Sequence, residues 1–211
     1  MDSNLWQKLG TDAETLEKLR LFEALTVKWT QKINLISRST VAEIWSRHIE
    51  DSARILLLAP EHPRIWADFG SGGGFPGIVV AALLQGRSSA TKVILVESDQ
   101  RKSTFLREAA RQMGLQVDVR AERAEAIPPL GADVVSARAL APLDMLCAIV
   151  ERHGLPETTC LFPKGESWAD EVATAQKNWL FDLETAEDPG HKGSATLRLR
   201  TVRRASRDSQ D

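Results

Sequence analysis

Apolar positions change period partway along the chain, and that change divides it. Leu16, Leu19, Phe22, Leu25 and Trp29 recur three or four apart, which predicts an amphipathic helix with one buried stripe. Thr11-Asp12-Ala13-Glu14 just before it has capping-box spacing. Thr40-Val41-Ala42-Glu43 repeats that pattern, and Ile44, Trp45, Ile49, Ala53 and Leu56 continue one apolar face. Residues 1–60 therefore read as an N-terminal helical extension packed on a core, closed by Pro60 and Pro63. From Arg64 onward short apolar runs alternate with helical patterns. Strands are expected at 64–69, 92–97, 116–121, 132–136 and 158–163, with helices at 77–85, 99–113 and 142–152. A helix near 168–176 and strands near 181–186 and 195–203 complete the set. Repeated strand–helix units with apolar strands imply an α/β fold with an open, doubly wound, mostly parallel sheet. Residues 61–204 form that domain, and the polar segment 205–211 is expected to be disordered.

One turn between a strand and a helix carries the strongest chemical signal. Asp68-Phe69-Gly70-Ser71-Gly72-Gly73-Gly74-Phe75-Pro76-Gly77 lies between Ile65-Trp66-Ala67 and an apolar helical run. Glycines there let a ligand touch bare backbone at the carboxyl end of a parallel strand. Gly72, Gly74 and Gly77 fit the dinucleotide spacing G-x-G-x-x-G, with Glu97 about 20 residues on. Asp68, Gly70, Gly72 and Gly74 also fit D-x-G-x-G-x-G, which resembles the first motif of S-adenosylmethionine-dependent methyltransferases. Pro76 favours the second pattern. It disfavours a helical Phe75, so the helix starts too late for a pyrophosphate that needs a helix N-terminus close by. Asp68, two residues before the first glycine, is placed to hold the amino acid end of the methyl donor.

Glu97 ends the second strand, where an acidic residue accepts hydrogen bonds from two ribose hydroxyls. The third strand leads into Ala121-Glu122-Arg123-Ala124-Glu125. Ala124 and Glu125 are the expected adenine contacts, with Glu122 as competitor.

Composition narrows the class. The chain has 211 residues, 43% hydrophobic and 27% charged, with a net charge of -2; one globular domain with a small extension fits. No global basic field advertises nucleic acid. The segment from Leu197 to Arg207 is nonetheless strongly basic, and a local patch binds phosphates in an acidic protein. Cys147 and Cys160 lack metal-ligand spacing, which suits a reducing cytoplasm. No metal site, signal peptide or membrane span is expected.

The nucleophile decides what a methyl-transfer site must contain. Pyrimidine carbon-5 needs a cysteine, but Cys160 falls inside the apolar run Cys160-Leu161-Phe162 and reads as a core thiol. Exocyclic amines are served by an Asn/Asp-Pro-Pro-aromatic turn after strand four, where this chain has Ser136-Ala137-Arg138-Ala139. Guanine N7 has a free lone pair and no proton to remove, so positioning and electrostatics suffice. Arg138 after strand four, Lys164 after strand five, and Arg123 are the candidate catalytic and phosphate-positioning residues, joined by the C-terminal arginines. For Lys164 a surface charge or an ion pair is an equal alternative. A nicotinamide oxidoreductase of this design would carry a substrate domain or a Tyr-x-x-x-Lys pair, and the chain has no tyrosine.

The ordered segments Asn34-Leu35-Ile36-Ser37, Arg47-His48-Ile49-Glu50-Asp51-Ser52, Asp68 to Gly77, Leu95-Val96-Glu97-Ser98, Arg101-Lys102, Phe105-Leu106, Arg123-Ala124-Glu125, Ser136-Ala137-Arg138-Ala139 and Lys164-Gly165 resemble one family. It is the bacterial small-subunit ribosomal RNA guanine-N7 methyltransferases, methyltransferase G or glucose-inhibited division protein B. The resemblance covers roughly residues 30 to 165. It implies a class I, Rossmann-like fold with a seven-stranded sheet and S-adenosyl-L-methionine as cofactor. Its implied target is the guanine at conventional position 527 of 16S ribosomal RNA, free or in the small subunit. It also implies cofactor contacts at Gly70, Phe75, Ala124, Glu125 and Arg138, beside Asp68, Gly72 and Glu97. The basic C-terminal segment is outside the motif set. His48 and Asp51, three apart, share a helical face; they read as a structural brace or as RNA contacts before an acid–base pair. Nothing in the chain demands more than a monomer.

Overall fold

The computed structural model describes residues 2–205; residues 206–211, most of the segment expected to be disordered, lie outside the described residues. Seven strands form one sheet: β1 (Ile65–Phe69), β2 (Lys92–Val96), β3 (Val117–Arg120), β4 (Ala132–Ala137), β5 (Gly154–Lys164), β6 (Trp179–Glu187) and β7 (Ala195–Arg204). Their order is β3-β2-β1-β4-β5-β7-β6. The first five are parallel, and β7 runs antiparallel between β5 and β6. The alternation of apolar runs therefore located every strand. β5 begins earlier than expected: Ala132 pairs with Gly154, but Val134 pairs with Thr159. The extra residues bulge out around Pro156, which has no N–H for the ladder.

Helices cover both faces. The N-terminal part carries α1 (Ser3–Lys8), α2 (Ala13–Thr30), a 3-10 turn (Arg38–Glu43), a π-helical turn (Trp45–Glu50), α3 (Asp51–Arg54) and a 3-10 turn (Ile55–Leu58). Two local expectations are corrected here. Asp12, not Thr11, caps α2, because its carboxylate accepts the Thr15 N–H at 2.7 Å. The second capping pattern opens no α-helix; that stretch takes the tighter 3-10 and then the wider π winding.

The core repeats α4 (Gly77–Gly86), α5 (Gln100–Met113), α6 (Leu143–His153) and α7 (Trp168–Ala175). α4 is apolar on all sides because it is covered on all sides. Residues Gly77 to Leu84 are buried between the sheet and the N-terminal helices. Phe22 of α2 is fully buried there, 5.0 Å from Phe75 and 6.2 Å from Phe105 between ring centroids. The extension thus completes the same hydrophobic cluster as α4 and α5. A burial of that size contributes roughly 1.5–3 kcal/mol per large side chain. The opposite face packs α6 and α7 over Phe69, Val135 and Phe162. No described helix is long and apolar enough to cross a membrane.

Candidate functional site

The parallel strands share one carboxyl edge, and the chemistry-bearing residues gather there because each sits at a strand end. After β1 the chain turns through Gly70 (φ 66°), Gly72 (φ 52°) and Gly74 (φ 85°), conformations that a side chain disfavours. The turn aims the Gly72 N–H at Glu97 Oε2, 2.8 Å away, and Glu97 Oε1 accepts the Asp99 N–H at 2.8 Å. Each oxygen keeps a lone pair for a ribose hydroxyl. Pro76 is the N-cap of α4, so the helix does start late.

Two cavities open at this edge. One, of about 500 Å³, is lined by Gly70, Gly72, Phe75, Glu97, the 122–125 turn and Arg138. All of Glu122, Arg123, Ala124 and Glu125 line it, Glu122 and Arg123 immediately before the 3-10 turn Ala124–Ala126 and Ala124 and Glu125 within it. Leu35, Lys102, Leu140 and Met145 also line it. The larger cavity, about 770 Å³, lies between the N-terminal helices, the end of β5 and the loop before β7. Arg138, Ala139, Leu140 and Ala141 border both cavities. Ala139 there has φ 54°, a strained setting for a non-glycine residue.

Several expected site residues have other partners. Asp68 does not line either cavity. It is fully buried under the loop: Oδ1 accepts the Ser136 hydroxyl at 2.7 Å, and Oδ2 faces the Gly77 amide without a hydrogen bond of good geometry. Trp66 Nε1 donates to the same Ser136 Oγ at 2.9 Å. Burial pushes the Asp68 carboxyl up to about 6, against the opposing pull of Ser136, Ser71, Gly77 and Arg138. Asp68 therefore supports the loop from beneath, with its carboxylate buried and outside the lining of both cavities. Lys164 lines the larger cavity, but its ammonium donates to Ala141 O at 2.8 Å and Glu171 Oε2 at 2.7 Å. Its side chain is only 8% exposed. It ties the 139–142 loop to β5 and α7 instead of offering a free charge.

The basic C-terminal segment is mostly strand β7; two of its arginines pair across the ladder and a third pairs with α6, while Arg203 is exposed and makes no ion pair among the described residues. Arg198 and Arg200 meet Glu184 at 2.9 and 2.7 Å, and Arg204 meets Glu151 at 3.1 Å. Those charges are no longer the free phosphate contacts expected; Arg207 lies outside the described residues. Arg123, by contrast, is exposed and makes no ion pair among the described residues.

The side chains of His48 and Asp51 do not pair; the two residues meet only where the Asp51 N–H donates to His48 O. Asp51 meets His191 at 3.4 Å and is pushed up to about 6 by burial and by Asp188. Together these three residues form a group whose donor atoms lie within 4.8 Å. His48 turns towards Arg138. His153, which the sequence did not single out, holds the 3-10 turn Ala124–Ala126: its Nε2 meets Ala124 O at 2.9 Å from a fully buried ring. Only tertiary contact brings α6 under that turn. Both cysteines are buried, and burial pushes the Cys147 thiol up to about 12 and Cys160 higher still. Neither can act as a nucleophile.

A doubly wound sheet closed by an antiparallel strand pair, with an acidic strand end facing a glycine loop and a nucleoside-sized cleft, defines a class I, Rossmann-like methyltransferase. Solved structures agree on the fold. A SAM dependent methyltransferase from Aquifex aeolicus superposes with a TM-score of 0.61 at 13% identity, covering 79% of this chain and 100% of that one. An RNA methyltransferase from Salinibacter ruber, solved with S-adenosyl-L-homocysteine, gives 0.54 at 17%, covering 77% and 95%. Sequence gives the family. A family profile described as "GidB: rRNA small subunit methyltransferase G" matches residues 15–195. Ribosomal RNA small subunit methyltransferase G of Cereibacter sphaeroides (strain ATCC 17029) is 46% identical over 202 residues, covering 96% of this chain and 98% of that protein. The protein of that name from Rhodospirillum centenum is 44% identical over 193 residues, covering 92% and 87%. The chain belongs to the rRNA small subunit methyltransferase G family.

Proposed function

We propose that this protein methylates N7 of the guanine at position 527 of 16S ribosomal RNA, with S-adenosyl-L-methionine as donor. The observation that carries the reading is the meeting of two cavities at Arg138–Ala141, in a chain matched to the family along nearly its whole length. The smaller cavity suits the cofactor. The bare backbone of Gly70 and Gly72, the Phe75 ring, the Glu97 carboxylate and the Ala124–Glu125 turn are the groups that would hold it. When bound, S-adenosyl-L-methionine supplies an electrophilic methyl on a sulfonium.

The chain's own residues then have only to place a lone pair in line. Guanine N7 carries no proton, so no general base is required, in keeping with the inert thiols and a His48 ring committed elsewhere. Arg138 offers five N–H donors; two are used, on Arg47 O and His48. The remaining three can donate to an acceptor on the target nucleotide, such as guanine O6. Arg123 at the rim is the free phosphate contact. We read the chain as a monomer, and two free buried thiols support a cytoplasmic setting.

The test is transfer of labelled methyl from S-adenosyl-L-methionine to undermodified 16S RNA and to small ribosomal subunits, with the nucleoside identified. 7-Methylguanosine at the single site confirms the reading. No transfer to either substrate, with cofactor binding intact, overturns it.

A further inference from the structure

Arg138 is the one cation bordering both cavities on the described strand ends after β4, and its aim depends on one side chain 90 residues away. Arg138 Nη2 lies 2.5 Å from His48 Nδ1, and Nη1 donates to Arg47 O at 3.3 Å. Arginine has only donors, so Nδ1 must accept. The His48 proton then sits on Nε2, 2.9 Å from Thr40 Oγ1. Thr40 passes the chain on by donating its hydroxyl to Ser37 O at 2.9 Å. Every member is thereby satisfied in one direction, from guanidinium to a backbone carbonyl. The ring is also packed 5.1 Å from Phe75, over which the Arg138 guanidinium stands at 5.4 Å. Burial, with the charges of Arg138, Arg47 and His191, pushes His48 down to about 3, so the ring stays a neutral acceptor. His48 lies in the π-helical turn Trp45–Glu50, a rare winding that is frequent at functional sites.

We propose that His48 is a positioning residue for methyl transfer: it fixes the Arg138 guanidinium so that its remaining N–H groups face the junction where the two cavities meet. The inference rests on the reading of that junction as the place of methyl transfer. His48 acts on the reaction through Arg138. Misplacing a positioning group by about 1 Å costs on the order of 100-fold in rate.

The experiment compares His48→Leu and His48→Asn, alone and combined with Arg138→Lys. Asn keeps an oxygen where Nδ1 stood; Leu removes the acceptor but fills space. His48→Leu is expected to lower kcat roughly 10- to 100-fold, with a smaller rise in the KM for S-adenosyl-L-methionine because Arg138 also borders the cofactor cavity. His48→Asn should recover most of that loss. In the Arg138→Lys background the effect of His48→Leu should shrink to less than about threefold, since coupled residues are not additive. The Arg138 guanidinium nitrogen signals, assigned by NMR with Arg138→Lys, should be separate and slowly rotating in wild type and His48→Asn, and averaged in His48→Leu. Additive kinetic losses, a failed Asn rescue with folding intact, or unchanged guanidinium signals would each overturn the proposal. The NMR arm needs no turnover, so an inactive wild type would indict the assigned reaction and leave the positioning measurement standing.

Discussion

Replacing Asp68 with Asn isolates the price of a buried charge beneath the cofactor loop. Asp68 is fully buried and its carboxyl is raised from 3.8 to about 6 by burial, the Ser136, Ser71 and Gly77 contacts only partly offsetting that. The folded chain thus holds this proton more tightly than the unfolded one. Its contribution is fully present below pH 3.8 and is lost as pH rises through 6. At about 1.4 kcal/mol per pH unit, the gap from 3.8 to about 6 is worth about 3 kcal/mol in full, of which about 2 kcal/mol is lost between pH 4.5 and 7.5. Asn cannot titrate. Its amide brings a fixed offset through Ser136 and Gly77, but that offset does not vary with pH. Urea unfolding of wild type and Asp68→Asn at several values from pH 4.5 to 7.5 should therefore show the variant gaining on wild type as pH rises. The expected gain is about 2 kcal/mol, concentrated between pH 4.5 and 6. A difference that stays flat across that range would refute the reasoning, because Asp68 would then titrate as an ordinary carboxyl.

Gly77→Ala should lower stability by about 1–3 kcal/mol, read as a shifted denaturant midpoint; the added carbon would stand 2.6 Å from Asp68 Oδ2 and closer to Leu95, and an unchanged midpoint would contradict this. Glu97→Gln should weaken S-adenosyl-L-homocysteine binding roughly 10- to 100-fold by calorimetry, the worth of a hydrogen-bonded charge at the ribose; equal affinity would remove Glu97 from the site. Arg123→Ala should reduce the salt slope of 16S RNA binding by about 1, whereas Arg198→Ala, already paired with Glu184 at 2.9 Å, should leave it unchanged. Equal changes in the two variants would show that the β7 ion pairs open to phosphate.

What the sequence determined by itself was whatever depends on neighbours in the chain. Strand and helix positions follow from the period of apolar residues, and the β1 turn from glycines that alone adopt φ above zero cheaply. The cofactor edge followed too, because a strand end, a glycine loop and Glu97 have fixed places in a doubly wound sheet. The winding of residues 38–50 did not, since packing against the core decides between α, 3-10 and π turns. Tertiary structure alone decided which charges are free. Asp68 reads as an available carboxylate until Ser136 on the adjacent strand covers it. Lys164 reads as a phosphate ligand until Glu171 meets it at 2.7 Å, and Arg198 and Arg200 form a basic patch until the β6–β7 register sets Glu184 between them. A charge's role depends on what stands within a few ångströms of it, as His48 and Arg138 show from 90 residues apart.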